Sequence, residues 1–78
     1  MEQIHKHDQA ASDDLAKLRV LLPHWIEHNQ EHIESFQHWV ARAREMGQDE
    51  AARQLEQAVE RMAACNQALN AALQLLRV

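Results

Sequence analysis

Three histidines follow one another at intervals of four residues in this chain: His24, His28 and His32. Residues four apart lie on the same side of an α-helix, so neighbouring imidazoles of this set can reach one ion. Imidazole is a common protein ligand for zinc, nickel and copper. The first and last histidines are about 12 Å apart along a helix, which is too far for one ion. The spacing predicts a metal site with His28 and His32 as its ligands and His24 as the next candidate.

The pair needs further ligands, and two residues nearby could supply them. Glu31 offers a carboxylate on the same helix, and Cys65 offers a thiolate near the level of His32 on a second predicted helix. A set of His28, His32 and Cys65 would suit zinc, nickel or copper, because a thiolate favours the softer ions. We therefore expect a non-catalytic protein that handles a divalent transition metal.

The same residues also fit a structural role without a metal. Asn29, His32 and Asn66 are the polar positions in two otherwise apolar helical ladders. A buried polar residue in a helical core fixes register and partner number at a cost in stability. The alternative function is therefore a protein–protein interaction or dimerisation module with a buried His/Asn layer. A buried His32 that senses pH is a third hypothesis.

The elements that would position these residues are two amphipathic helices, in which apolar residues recur every three or four positions. The first ladder comprises Leu15, Leu18, Leu22, Trp25, Asn29, His32, Phe36, Trp39, Ala43 and Met46, with Ile26, Ile33 and Val40 on one flank. The second comprises Ala52, Leu55, Val59, Met62, Asn66, Leu69, Leu73 and Leu76. Folding the chain back between them pairs Trp39 with Val59, His32 with Asn66 and Trp25 with Leu73, to within about one helical step.

Helix ends and breaks follow from a few residues. Ser12 before two aspartates predicts an N-cap, so residues 1–11 are expected to be a flexible segment and 12–78 a single helical-hairpin domain. Pro23 lacks an N–H group and predicts a kink or a restart of the first helix. Gly47 predicts a left-handed residue that ends the first helix and a short antiparallel turn.

Composition limits the fold and the partners. A chain of 78 residues sits near the lower limit for a self-sufficient core, so the all-α hairpin is expected to form a homodimeric four-helix bundle. The net charge of −4 without a basic patch argues against nucleic acid and anionic membrane as partners, although a protein partner stays open. The lone Cys65 indicates a reducing, cytoplasmic location, and no segment is apolar enough to span a bilayer. Phosphate-loop and serine-nucleophile patterns are absent, and no glutamate stands three residues before His24, His28, His32 or His38, so we expect no enzyme.

The segment from Leu21 to His32, continued by Phe36, Trp39 and Ala43, resembles a small family of uncharacterised prokaryotic helical domains with an HWxxHNxEH signature. The likeness runs from about Leu15 through the second helix. The resemblance implies an accessory role beside transition-metal proteins, nickel proteins above all. It assigns no ligand or catalytic residue.

Overall fold

A computed structural model describes the backbone of residues 2–77 and the side chains of residues 11–77. This part of the chain contains two α-helices and no strand: α1 spans Glu2–Glu45 and α2 spans Asp49–Leu76. The helices lie antiparallel, because the C-terminal part of α1 contacts the start of α2 and Arg19 contacts the end of α2. The predicted all-α hairpin is confirmed.

The first helix is longer and less interrupted than its sequence predicts. α1 continues through Ser12, so the predicted helix start there is wrong. Residues 2–11 contain no proline or glycine, and a helix therefore reaches Ser12 at little cost. The side chains of residues 1–10 lie outside the described part, and the flexibility of residues 1–11 stays a prediction. α1 also runs through Pro23 without a restart, although Pro23 leaves the carbonyl of Arg19 without its usual helical donor.

The turn between the helices is built on Gly47, as predicted. Its φ of +77° is left-handed, which glycine adopts without a steric penalty. The N–H of Gln48 donates to the carbonyl of Ala43 at 2.8 Å, and the N–H of Gly47 donates to that of Arg44 at 3.0 Å. This pair of bonds is a Schellman motif, which satisfies carbonyls that the end of α1 would otherwise leave unpaired.

The helix–helix contact confirms the predicted ladder of α2 and part of the predicted ladder of α1. Every rung of the α2 ladder is buried or half-buried. On α1 the buried residues are Leu22, Ile33, Val40 and Ala43, and the half-buried ones include Ile26, Asn29 and Phe36. The predicted rungs Trp25, Trp39 and Met46 remain 41%, 51% and 54% exposed. The contact surface of α1 therefore combines every second residue of the predicted ladder, from Leu22 to Ala43, with the flank of Ile26, Ile33 and Val40.

The register differs from the predicted pairing by about one helical step, which is within the range that the prediction allowed. Asn66 pairs with Asn29 rather than with His32, which is exposed. Ala43, Val40 and Ala52 pack together next to the turn, and Ala52 is fully buried. Two alanines facing each other let the helix axes approach closely, which favours this register over one that seats Met46 against Ala52.

The hairpin is a rod rather than a compact body. Its extents are 65 × 23 × 14 Å, and its radius of gyration is 18.7 Å. A compact chain of this length has a radius of gyration of about 11.5 Å. Arg19 donates from Nε to the carbonyl of Leu76 at 2.8 Å, so α2 ends level with Arg19. The part of α1 before Arg19 therefore extends about 25 Å past α2 at about 1.5 Å per residue. Neither helix in the described part has the length and hydropathy needed to cross a bilayer.

Candidate functional site

His28 and His32 face each other across one turn of α1. Their Nε2 atoms lie 3.0 Å apart, and their ring centroids are separated by 4.5 Å with the planes nearly perpendicular, at 88°. Both side chains are exposed to solvent. The two nitrogens therefore converge on one point at the surface, which is the arrangement that the four-residue spacing predicts.

The separation of the two nitrogens is close to that of two ligands on one ion. Two imidazole nitrogens bound at about 2.0–2.1 Å to a tetrahedral zinc are about 3.3 Å apart. Without an ion, the same 3.0 Å corresponds to a hydrogen bond in which one Nε2–H donates to the other Nε2. A metal can replace the shared proton with only a small rotation of the two rings.

Neighbouring rings hold this pair in place from both ends. His24 stacks on His28 with centroids 6.4 Å apart, and Phe36 stacks on His32 at 5.8 Å. Phe36 is half-buried, so its ring is held by the helix–helix contact and in turn limits the rotation of His32. Such packing lowers the entropy lost when a ligand binds. His38 lies outside this row and packs edge-on against Trp39 at 5.3 Å.

The other predicted ligands do not join the pair within one chain. Glu31 lines a groove on another side of α1, together with Pro23, Ile26 and Asn70. Cys65 is exposed, and its Sγ accepts a long hydrogen bond from Asn29 at 4.0 Å. Among the residues described, no three or more histidine, cysteine, aspartate or glutamate side chains are grouped so that they could hold an ion. A single chain thus presents two converging ligands.

A polar layer crosses the helix–helix contact close to the histidine pair, and it contains two of the three predicted members, Asn29 and Asn66. The Nδ2 of Asn29 donates to Oδ1 of Asn66 at 2.9 Å, and Nδ2 of Asn66 donates to the carbonyl of Ile26 at 3.1 Å. Both asparagines are half-buried, whereas the predicted member His32 is outside the layer. The bond to Ile26 was not predicted, because every residue has a backbone carbonyl and the sequence does not indicate which one accepts a side-chain hydrogen bond.

The two broad flanks of the hairpin have different chemistry. One flank carries a groove lined by Gln37, Arg44, Glu56 and Glu60, where Arg44 and Glu56 form an ion pair between the helices. The other flank carries exposed apolar residues at helical spacing, and His32 lies among them. We call this surface the tryptophan face; it consists of Leu21, Trp25, His32, Trp39 and Met46.

Comparison with protein families gives a match along most of the chain. A family model described as Domain of unknown function (DUF8180) matches residues 18–76. Comparisons with curated proteins and with solved structures give no significant match. The matched range begins and ends almost where Arg19 contacts Leu76, so it coincides with the paired part of the hairpin. The histidine pair, the asparagine layer and the tryptophan face all lie within it.

Proposed function

This chain belongs to the family described as Domain of unknown function (DUF8180), and we propose that it binds a divalent transition metal through His28 and His32 without catalysing a reaction. The observation that carries the proposal is the 3.0 Å between the two Nε2 atoms. Both side chains are exposed and lie outside the helix–helix contact, and the separation of their nitrogens is close to the one that a shared ion requires.

Nitrogen ligands limit the kind of ion. Imidazole suits zinc, nickel and copper, whereas magnesium and calcium prefer oxygen ligands. The rings of His24 and Phe36 orient the pair, and exposure gives an ion direct access from solvent. Binding of this type supports a carrying or accessory role in metal handling. We propose a cytoplasmic location for it, in keeping with a single cysteine whose thiol is free and exposed.

A second candidate function is self-association as an interaction module, and a different observation favours it. Trp25, Trp39 and Met46 are about half-exposed, and few side chains in the described part of the hairpin are buried. Large apolar side chains grouped on one face mark a surface that another helix can cover. A second copy would convert the hairpin into a four-helix bundle, in which the Asn29–Asn66 layer fixes the register.

Titration calorimetry on chelator-stripped protein tests the proposed function. Nickel, zinc and copper are titrated in turn into the wild type, the His28→Ala/His32→Ala variant and a matched His38→Ala control. We expect at least one ion to bind the wild type and the control equally, and affinity for the double variant to fall by at least about a hundredfold. Equal binding to all three proteins would refute the proposal.

A further inference from the structure

We infer that a second copy of this chain completes the metal site, with the two tryptophan faces packed across a two-fold axis. The partner's His28 and the partner's His32 then supply the ligands that one chain lacks. One ion is held by four imidazoles, and the stoichiometry is one ion for two chains. This inference rests on the proposed metal binding at the same histidine pair.

The first argument is the incomplete ligand set. Protein sites for zinc generally supply three or four side-chain ligands, whereas the described part of this chain brings only two together. Neither Cys65 nor Glu31 forms a metal-holding group with the pair in the described part of one chain. An isologous interface places the same patch of both subunits in contact, so a pair near the axis becomes a set of four. Four nitrogen ligands are a favourable set for zinc, copper or nickel.

The second argument is the symmetry of the face itself. Trp25 and Trp39 lie seven residues on either side of His32. Seven residues correspond to about 10 Å in each direction along α1. Residue 32 is also midway between Arg19 and Glu45, the ends of the paired stretch of α1. A two-fold axis at this level gives full overlap of the two hairpins, and it brings Trp25 against the partner's Trp39 and each histidine pair next to its symmetry mate.

The third argument is the size of the surface. The stretch from Leu21 to Met46 is about 38 Å long at about 1.5 Å per residue. The hairpin as a whole measures 23 Å along its second-longest dimension, so the footprint of this stretch is at most roughly 850 Å² per chain. A stable interface buries roughly 800 Å² per partner. A second copy that covers the whole flank would approach this size.

The chemistry of the two flanks selects which side the second copy covers. On α2, the residues spaced seven apart around Cys65 are the small and half-buried Ala58 and Ala72, which let another helix approach closely. The opposite flank carries the Arg44–Glu56 pair and the groove with Glu60. Burying those charged side chains would cost desolvation free energy, whereas burying the apolar tryptophan face would not.

Sedimentation equilibrium and calorimetry on the same samples test the inference, with zinc and nickel each used as the probe. The interface variant is Trp39→Glu, which places a charge on the face. The matched control is Val20→Glu, because Val20 is 72% exposed and lies outside the face. Circular dichroism establishes that both variants keep their helices, which we expect because neither side chain is buried.

We expect the wild type with metal to sediment at twice the 9.0 kDa of one chain and to bind half an ion per chain. Trp39→Glu should sediment as a monomer and bind at least tenfold more weakly, while Val20→Glu behaves as the wild type. One ion per monomeric chain would overturn the shared site and leave the proposed function standing. Absence of any binding that depends on His28 and His32 would overturn both.

Discussion

The asparagine layer allows a quantitative test of what fixes the register of the hairpin. Asn66 donates to the carbonyl of Ile26 and accepts from Asn29, so Asn66→Ala removes two hydrogen bonds. Each contributes about 1 kcal/mol, and the higher helix propensity of alanine returns about 0.5 kcal/mol. We expect a net loss of about 1.5 kcal/mol in the free energy of unfolding. For a chain of this size, that loss lowers Tm by about 6–12 °C.

Replacing both asparagines tests whether the layer serves to fix the register or mainly to stabilise the hairpin. Asn29→Leu/Asn66→Leu removes both polar groups and continues the apolar ladder on each helix. We expect this double variant to be at least as stable as the wild type, because no half-buried amide is left unpaired. The two single leucine variants should each be destabilised, which gives a coupling energy of about 1 kcal/mol or more in the double-mutant cycle.

Urea unfolding followed by circular dichroism measures these differences. All variants are compared at one protein concentration, because self-association makes apparent stability depend on concentration. Asn70→Ala is the matched control, since Asn70 is an exposed asparagine one turn further along α2. A wild-type stability for Asn66→Ala, or additive effects of the two leucine substitutions, would refute the reasoning.

Other positions give further tests of the fold. Gly47→Ala should cost about 1 kcal/mol in urea unfolding, because a Cβ meets no atom there and only the left-handed φ is strained; Gly47→Asn should cost less. Ala52→Leu should lower Tm, since an added side chain at a fully buried position costs about 1–3 kcal/mol, and an unchanged Tm would contradict the close helix approach. Leu73→Ala should cost about 2–5 kcal/mol by calorimetric unfolding, whereas exposed Leu75→Ala should cost far less.

The second helix could be predicted from sequence because its larger apolar residues, apart from the exposed Leu75, form one narrow ladder between alanines. Every residue of this ladder, from Ala52 to Leu76, is buried or half-buried. The turn was equally predictable, because Gly47 is the only glycine in the sequence and directly follows Met46, the last residue of the predicted ladder of α1. For both the contact surface of α2 and the turn, the sequence pattern is compatible with one arrangement.

The first helix carries two overlapping ladders, and its own sequence does not say which of them α2 covers. Trp25 and Trp39 are the largest apolar residues, yet the helices pack through Ile33, Val40 and Ala43. Which strip of α1 packs against α2 depends on how well the surfaces of the two helices fit together. The periodicity of one helix carries no information about that fit. The same choice of ladder placed His32 in the predicted core, whereas the structure leaves it exposed and places Asn29 opposite Asn66.

The candidate site was predictable as far as it lies within one helix. The approach of His28 and His32 follows from their spacing, since any α-helix places residues four apart on one side. Cys65 was not predictable in the same way, because its distance from the pair depends on the register between the two helices. Glu31 lies on α1 directly before His32, and this spacing already places it on another side of that helix from His32. Among the described residues, neither joins the pair in a group that could hold an ion.

The nesting of the interhelical contacts has a consequence for how the chain folds. Ala43 and Ala52 meet across only nine residues, whereas Arg19 and Leu76 are separated by 57. We therefore expect the contacts to form in order of increasing loop length, because each contact shortens the loop that the next one has to close. Substitutions beside the turn, as at Ala52, should mainly slow folding, while those at the open end, as at Leu73, should mainly speed unfolding. We expect folding to begin beside Gly47 and unfolding to begin at the open end of the hairpin.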